Sequence, residues 1–249
     1  MCITVVLRCV CAIASTRVRA LRCGILRNVK VIGVCGRKGG SGKTTIAVNL
    51  AAEIASRGWS VTVVDADTQA SATHWAALEL LPMKVQPMPV SRKQDVDALA
   101  RAVRQLTSEI VVLDSPPHLN EALGAVIGLS DVALLPCAPS GLDVIATLQT
   151  RDLIREIRTQ RGEGRPTICM VPNKVSPNTL RSRRLHDELA AMGEDVSPPV
   201  HSRTAFANSF DEGQWIGDYE PNSTAYMEIA ALGAHVLRLC GEKLRRKKA

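Results

Sequence analysis

"VKVIGVCGRKGGSGKTT", residues 29–45, decides the fold. Its first seven residues are an apolar, β-branched run, which predicts a buried strand. A glycine-rich turn follows, and then Ile46, Leu50 and Ile54 recur at helical spacing, predicting a helix over 43–57. Strand, glycine loop and helix in that order make an anion cradle. The helix N-terminus presents unpaired N–H groups and the positive end of its dipole. Gly39, Gly40 and Gly42 allow the backbone to wrap closely, Lys43 is placed to reach terminal phosphates, and Thr44 offers a hydroxyl to Mg2+. The candidate nucleotide contacts in this loop are Gly39, Gly40, Ser41, Gly42, Lys43, Thr44 and Thr45. One departure stands out: the general phosphate-loop pattern has Gly five residues before Gly42, where this chain has Arg37. Lys38 poses a further question, because two lysines in one loop repel unless something anionic meets both.

Outward from the loop, short β-branched runs alternate with longer helical ones. Strands are expected at 60–66, 110–117, 132–140 and 167–173, and helices at 94–106, 120–129, 143–160, 178–192 and 223–244. Such alternation predicts an α/β fold: a doubly wound, mostly parallel sheet flanked by helices, with ligands at the carboxyl ends of the strands. No internal repeat, low-complexity linker or second domain interrupts it. Two carboxylate positions fall at strand ends. Asp114 closes "IVVLD" and is followed by Ser-Pro-Pro, where a magnesium-holding carboxylate belongs. Asp65 closes "SVTVVD", with Asp67 two residues on.

The 249-residue chain is 46% hydrophobic and only 3% aromatic, which suits a helix-covered parallel sheet. Its net charge of +7 is unevenly placed: residues 1–28 hold five arginines and no acid, leaving +2 for the rest. That segment has an arginine inside its short apolar run, which spoils it as a signal or membrane segment. It is read as an extension, disordered or produced by a misplaced start, with Val29 the preferred start and an organellar transit peptide the lesser alternative. Residues 29–249 are read as one domain with a basic C-terminal tail. No Cys-x-x-Cys pair occurs, so the sequence indicates neither a zinc site nor a disulfide framework. Single cysteines in apolar runs read as buried thiols in a reducing cytoplasm. The five histidines show no metal-ligand spacing.

"KGGSGKTT" resembles the deviant Walker A pattern of the ParA/MinD group of P-loop ATPases. "VVDADTQASATHW" resembles that family's switch segment, "LDSPP" its Walker B strand, and "PCAPSGLDV" the segment opening the helix after the fifth strand. The resemblance runs from residue 29 to about 240 and is of the small ParA type, without an N-terminal DNA-reading domain. It implies weak, partner-stimulated hydrolysis of ATP to ADP and phosphate with Mg2+. It implies too that Lys38 crosses to the partner subunit's nucleotide in an ATP-sandwich homodimer, which would resolve the two-lysine puzzle. By the same resemblance Lys38, Lys43 and Asp67 are catalytic, with Asp67 orienting the attacking water. Thr44, Asp65 and Asp114 serve the metal, and Asn173 in "VPNK" contacts adenine. "PPVHSRTAF" (198–206) flanks the base.

An ATP switch needs a surface that reads its state. Arg181, Arg183 and Arg184 open one helix, and Arg245, Arg246 and Lys247 lie in the basic tail. Such clusters bind phosphates without sequence preference. With the resemblance, they favour non-specific DNA, a cytoplasmic, nucleoid-associated protein, and an adaptor that stimulates hydrolysis. The cargo is left open between a plasmid and a protein compartment such as a carboxysome. The rival is a MinD-like membrane switch. Ile229, Leu232, Val236 and Leu239 form a narrow stripe suited to core docking, and the tail lacks residues to bury in lipid, so stable membrane insertion is not expected. A metabolic P-loop enzyme is the third and weakest reading.

Overall fold

A computed structural model describes residues 29–117, 121–162 and 164–245. The elements run β1 Lys30–Val34, α1 Lys43–Ser56, β2 Val61–Asp65, α2 Ser71–Trp75 with a 3-10 turn at Ala76–Leu78, β3 Lys84–Pro87, α3 Lys93–Gln105 and β4 Ile110–Asp114. They continue with α4 Glu121–Leu129, β5 Val132–Cys137, α5 Gly141–Arg161, β6 Thr167–Val175, α6 Leu180–Ala190 and β7 Asp195–Val196. β8 Val200–His201, α7 Thr204–Asp211, α8 Ile216–Tyr219 and α9 Thr224–Leu239 close the chain.

The strands lie in the order β3-β2-β4-β1-β5-β6-β7, all pairs parallel, with β8 joining β6 beyond Asn173. Both faces are covered. Ile32, Val63, Val112, Leu134 and Val171 pack against α1 and α9, whose Ile229, Leu232 and Val236 are fully buried. The alternate positions, among them Val31, Val111, Leu113, Ala133 and Met170, pack against α3 to α6. This period-two alternation under two helical layers is what a parallel sheet with right-handed crossovers requires. The narrow stripe of the last helix is thus a core contact. Cys35, Cys137, Cys169 and Cys240 are buried free thiols, as their apolar settings predict.

Several boundaries differ from the sequence reading. The last helix stops at Leu239, short of 244, because Gly241 adopts φ 74° and Glu242 N–H returns to Leu237 O at 2.9 Å, a left-handed C-terminal cap. The strand expected to reach 117 ends at Asp114, and β6 runs on to Val175. β3, β7, β8, α2, α7 and α8 are not anticipated in the sequence reading. Residues 1–28, Arg246 and Lys247 lie outside the described residues.

Candidate nucleotide site

Strand β1 sits where the winding reverses: β2 and β4 lie to one side, β5 and β6 to the other. That switch point opens a crevice at the carboxyl edge, and the Arg37–Gly42 loop fills it. Gly42 makes the loop possible. Its φ of 88° is left-handed, and a Cβ there would fall 2.4 Å from the Asn173 amide nitrogen. Either constraint alone would favour glycine.

The parallel register brings the two strand-end carboxylates together. Asp114 pairs with Val34 on one side and Asp65 on the other. Thr44 donates its hydroxyl to Asp114 Oδ2 at 2.7 Å, while Asp114 Oδ1 is buried with no hydrogen-bond partner. Burial, reinforced by Asp65, raises the Asp114 carboxyl to about 7, against the lowering effect of the Thr44 bond. An orphaned carboxylate oxygen beside a threonine hydroxyl fits a hard, oxygen-seeking cation such as Mg2+. Asp65 accepts from both the backbone and the hydroxyl of Thr73, each at 2.9 Å, and from Asp67 N–H at 3.2 Å. Asp67 in turn accepts from Gln69 N–H at 3.0 Å. The Asp65–Thr73 segment is thereby a chain of short turns hung on a buried carboxylate.

The two loop lysines have separate surroundings. Lys43 is buried, donates to Lys38 O at 3.1 Å, and has its pKa lowered by desolvation, countered by Asp114 and Asp67. Lys38 points the other way, to the buried carboxylate of Asp143 at 2.5 Å. Asp143 belongs to the first turn of α5, where Ser140 Oγ accepts from Asp143 N–H at 3.1 Å and the two side chains are also bonded. Asp143 was not singled out from sequence, although Ser140 three residues before it is a legible helix N-cap.

Beyond the phosphate loop lies a cavity of 510 Å3, lined among others by Gly42, Thr44, Thr45, Asn173, Lys174, His201, Arg203 and Phe206. Its size suits a small-molecule ligand. His201, Ser202, Arg203 and Phe206, all from the 198–206 segment, line it. Asn173 is buried and donates to Ser41 O at 2.8 Å; Lys174 donates to Gly40 O at 2.8 Å. Glu228, from α9, anchors the far wall by accepting from His201 N–H at 2.9 Å and Arg203 at 2.6 Å. Motif reading gave Glu228 no role and took Lys174 only as the neighbour of Asn173 in "VPNK"; in the structure Lys174 is marked by its bond to Gly40 O and by its positive φ of 54°.

The described basic residues differ in their partners. Arg181 is paired with Glu188 at 2.6 Å, Arg183 donates to Pro177 O at 3.2 Å, and Arg184 is exposed. Arg245 lies over the Trp59 ring, 3.4 Å from its centroid, and is paired with Glu109 at 2.8 Å. No helix among the described residues is long and apolar enough to cross a membrane.

Residues 32–216 match the CobQ/CobB/MinD/ParA nucleotide binding domain. The chain is 30% identical over 185 residues to the maintenance of carboxysome distribution protein A of Halothiobacillus neapolitanus, covering 73% of this chain and 84% of that one. It is 28% identical over 191 residues to protein ParA of Rhizobium radiobacter, covering 74% and 83%. Its fold superposes on the septum site-determining protein MinD of Pyrococcus horikoshii, complexed with Mg-ADP, with a TM-score of 0.70 at 17% identity, over 86% of this chain and 98% of that one.

Proposed function

The chain belongs to the CobQ/CobB/MinD/ParA family of nucleotide-binding domains, and from that premise we propose that it is a Mg2+-dependent ATPase of the ParA type. In this reading it dimerises on ATP, binds DNA without sequence preference and positions a cargo. The observation that carries it is the junction of Thr44, Asp65 and Asp114 at the mouth of the Gly39–Thr45 loop, where one buried carboxylate oxygen has no partner.

Each residue then has a task set by its place. The backbone from Gly39 to Thr45 cradles the phosphates, and Lys43 leaves Lys38 O to meet them. Thr44 and Asp114, with Asp65 behind them, would hold Mg2+, which neutralises phosphate charge when bound. Asp67 orients the attacking water from its turn beside Asp65. Asn173 exchanges its bond to Ser41 O for the adenine edge in the adjoining cavity. Lys38, with its side chain 40% exposed, leaves Asp143 and reaches the nucleotide of a second copy. The cargo is given in class only: a carboxysome follows the name of one relative and a plasmid the ParA resemblance, and the adaptor would be the cargo's resident protein.

The test couples turnover to assembly. Wild type should hydrolyse ATP weakly, faster with the adaptor, and elute as a dimer with ATP but not ADP. Asp67→Ala should bind ATP, dimerise and not turn it over. Its ATP form should be retained by DNA of arbitrary sequence and released by salt. Normal turnover by Asp67→Ala removes that residue from the mechanism, and retention on liposomes instead of DNA replaces this reading with the membrane switch.

A further inference from the structure

On the α9 side of the sheet, remote from the nucleotide crevice, three ligating side chains from distant parts of the chain converge. Cys169 on β6 and Asp195 on β7 are parallel-register partners. His235 from α9 closes over them, with its Nε2 hydrogen-bonded to Asp195 Oδ1. The thiol sulfur, carboxylate oxygen and imidazole nitrogen all lie within 4.8 Å of one another, and this is the one such group among the described residues. We propose that Cys169, Asp195 and His235 form a binding site for a divalent cation of the zinc class.

The donor set supports that class. A thiolate, an imidazole and a single carboxylate are borderline-soft, unlike the oxygen donors of Thr44, Asp65 and Asp114. Tetrahedral bonds of 2.0–2.3 Å put neighbouring ligand atoms about 3.5 Å apart, so the observed spacing closes by small side-chain rotations. The Asp195 side chain is 37% exposed, which leaves an entry path and room for water as a fourth ligand, while Cys169 is fully buried.

Loading has a defined proton balance. Arg238 donates to His235 Nδ1 at 2.9 Å, so the ring carries its proton on Nε2, which donates to Asp195. The cation takes the Nε2 lone pair, the ring proton moves to Nδ1, and the exposed Arg238 turns to solvent. The thiol loses one proton to solvent, so thiolate and carboxylate together neutralise the dication. Burial, with Asp195 adding to it, holds the metal-free thiol in its protonated form. Because the ligands come from β6, β7 and α9, the site exists only in the folded chain, and its occupancy stabilises that state. It lies on the order of 13 Å from Asn173 along β6, at about 3.3 Å per residue, so it is separate from the nucleotide crevice.

The experiment is a Co2+ titration of the untagged full chain without nucleotide, followed by Zn2+. We expect a thiolate-to-cobalt charge-transfer band saturating at one equivalent, displaced by Zn2+, and a Zn2+-dependent rise in Tm. Cys169→Ser and His235→Gln should each lose the band and the rise. His235→Gln removes a ligand from the rim, so it reports even where Cys169→Ser disturbs the core. Asp114→Asn should keep the band. No band in the wild type, or a band that survives His235→Gln, overturns the site. A band lost in Asp114→Asn but kept in His235→Gln moves the metal to the nucleotide crevice and overturns it too.

Discussion

The Lys38 ammonium lies 2.5 Å from the Asp143 carboxylate, although the two are 105 positions apart in sequence. The lysine proposed to serve a second subunit is therefore held within its own chain. Asp143 can hold it firmly because Ser140 and the first turn of α5 fix the carboxylate. Any reach across a dimer interface must first break this pair. Asp143→Asn keeps the side-chain shape and removes the charge. A pair exposed on its lysine side contributes about 0.4–1 kcal/mol. Asp143→Asn should thus lower the ATP concentration for half-maximal dimerisation about two- to fivefold, read by light scattering. Lys38→Ala should abolish ATP-dependent dimerisation while leaving ATP binding largely intact. An unchanged ATP requirement in Asp143→Asn would remove the latch.

Asp114 makes stability depend on pH. Its folded carboxyl titrates at about 7 against an ordinary 3.8, so the folded state binds this proton more tightly than the unfolded chain. The stabilising contribution is complete below about pH 4 and is lost as pH rises through about 7. The gap corresponds to at most about 4 kcal/mol. Urea denaturation in EDTA, without nucleotide, should show wild type losing stability between pH 4 and 8 relative to Asp114→Asn. Parallel curves for the two proteins would contradict the burial of that charge.

Lys174 holds a backbone conformation that suits glycine, with φ 54°, at an irregularity in the β6–β8 pairing. Its amine nevertheless grips Gly40 O in the phosphate loop. Strain of this kind costs on the order of 1 kcal/mol and persists where a side chain is needed. Lys174→Gly should relieve the strain, so Tm should hold or rise. ATP affinity should fall about fivefold for the lost hydrogen bond, measured with a fluorescent analogue. A merely structural lysine would show the opposite split, with lower Tm and unchanged affinity.

The candidate nucleotide site was legible in sequence because its residues fall in local patterns. Gly42 and Lys43 adjoin, and Asp65 and Asp114 each end an apolar run, so strand periodicity alone puts them at one edge of the sheet. Contacts between distant segments were not legible. Nothing in "PSGLDV" says that Asp143 meets Lys38. Nor does histidine spacing reveal that His235 reaches Cys169 and Asp195 across the β6–β7 edge. β3 escaped detection for a different reason. Lys84–Pro87 is an edge strand with exposed or half-buried positions and a terminal proline, so it lacks the apolar run that marks the buried strands.

The structure also separates the basic residues that composition had grouped. An arginine already spent on a carboxylate gives up that partner on meeting a phosphate, so its net contribution is small, whereas an exposed and unspent one contributes fully. Arg245 is spent: it lies over Trp59 and pairs with Glu109, whose carboxyl it holds below the usual range. Arg181 is spent on Glu188. Arg183 and Arg184 are exposed in the first turns of α6 and form no ion pair among the described residues, Arg183 donating only to the Pro177 carbonyl. If the ATP form binds DNA phosphates, Arg183→Ala/Arg184→Ala should reduce the slope of log K against log salt by about 2, close to 0.9 per lost contact. Arg245→Ala should leave that slope nearly unchanged and instead cost about 1 kcal/mol of folding stability, from the lost ring and carboxylate contacts. Fluorescence anisotropy on duplexes of unrelated sequence, across a salt series, measures the first effect, and denaturant titration measures the second. A full slope loss in Arg245→Ala with none in the double variant would shift the DNA-facing surface from α6 to the tail.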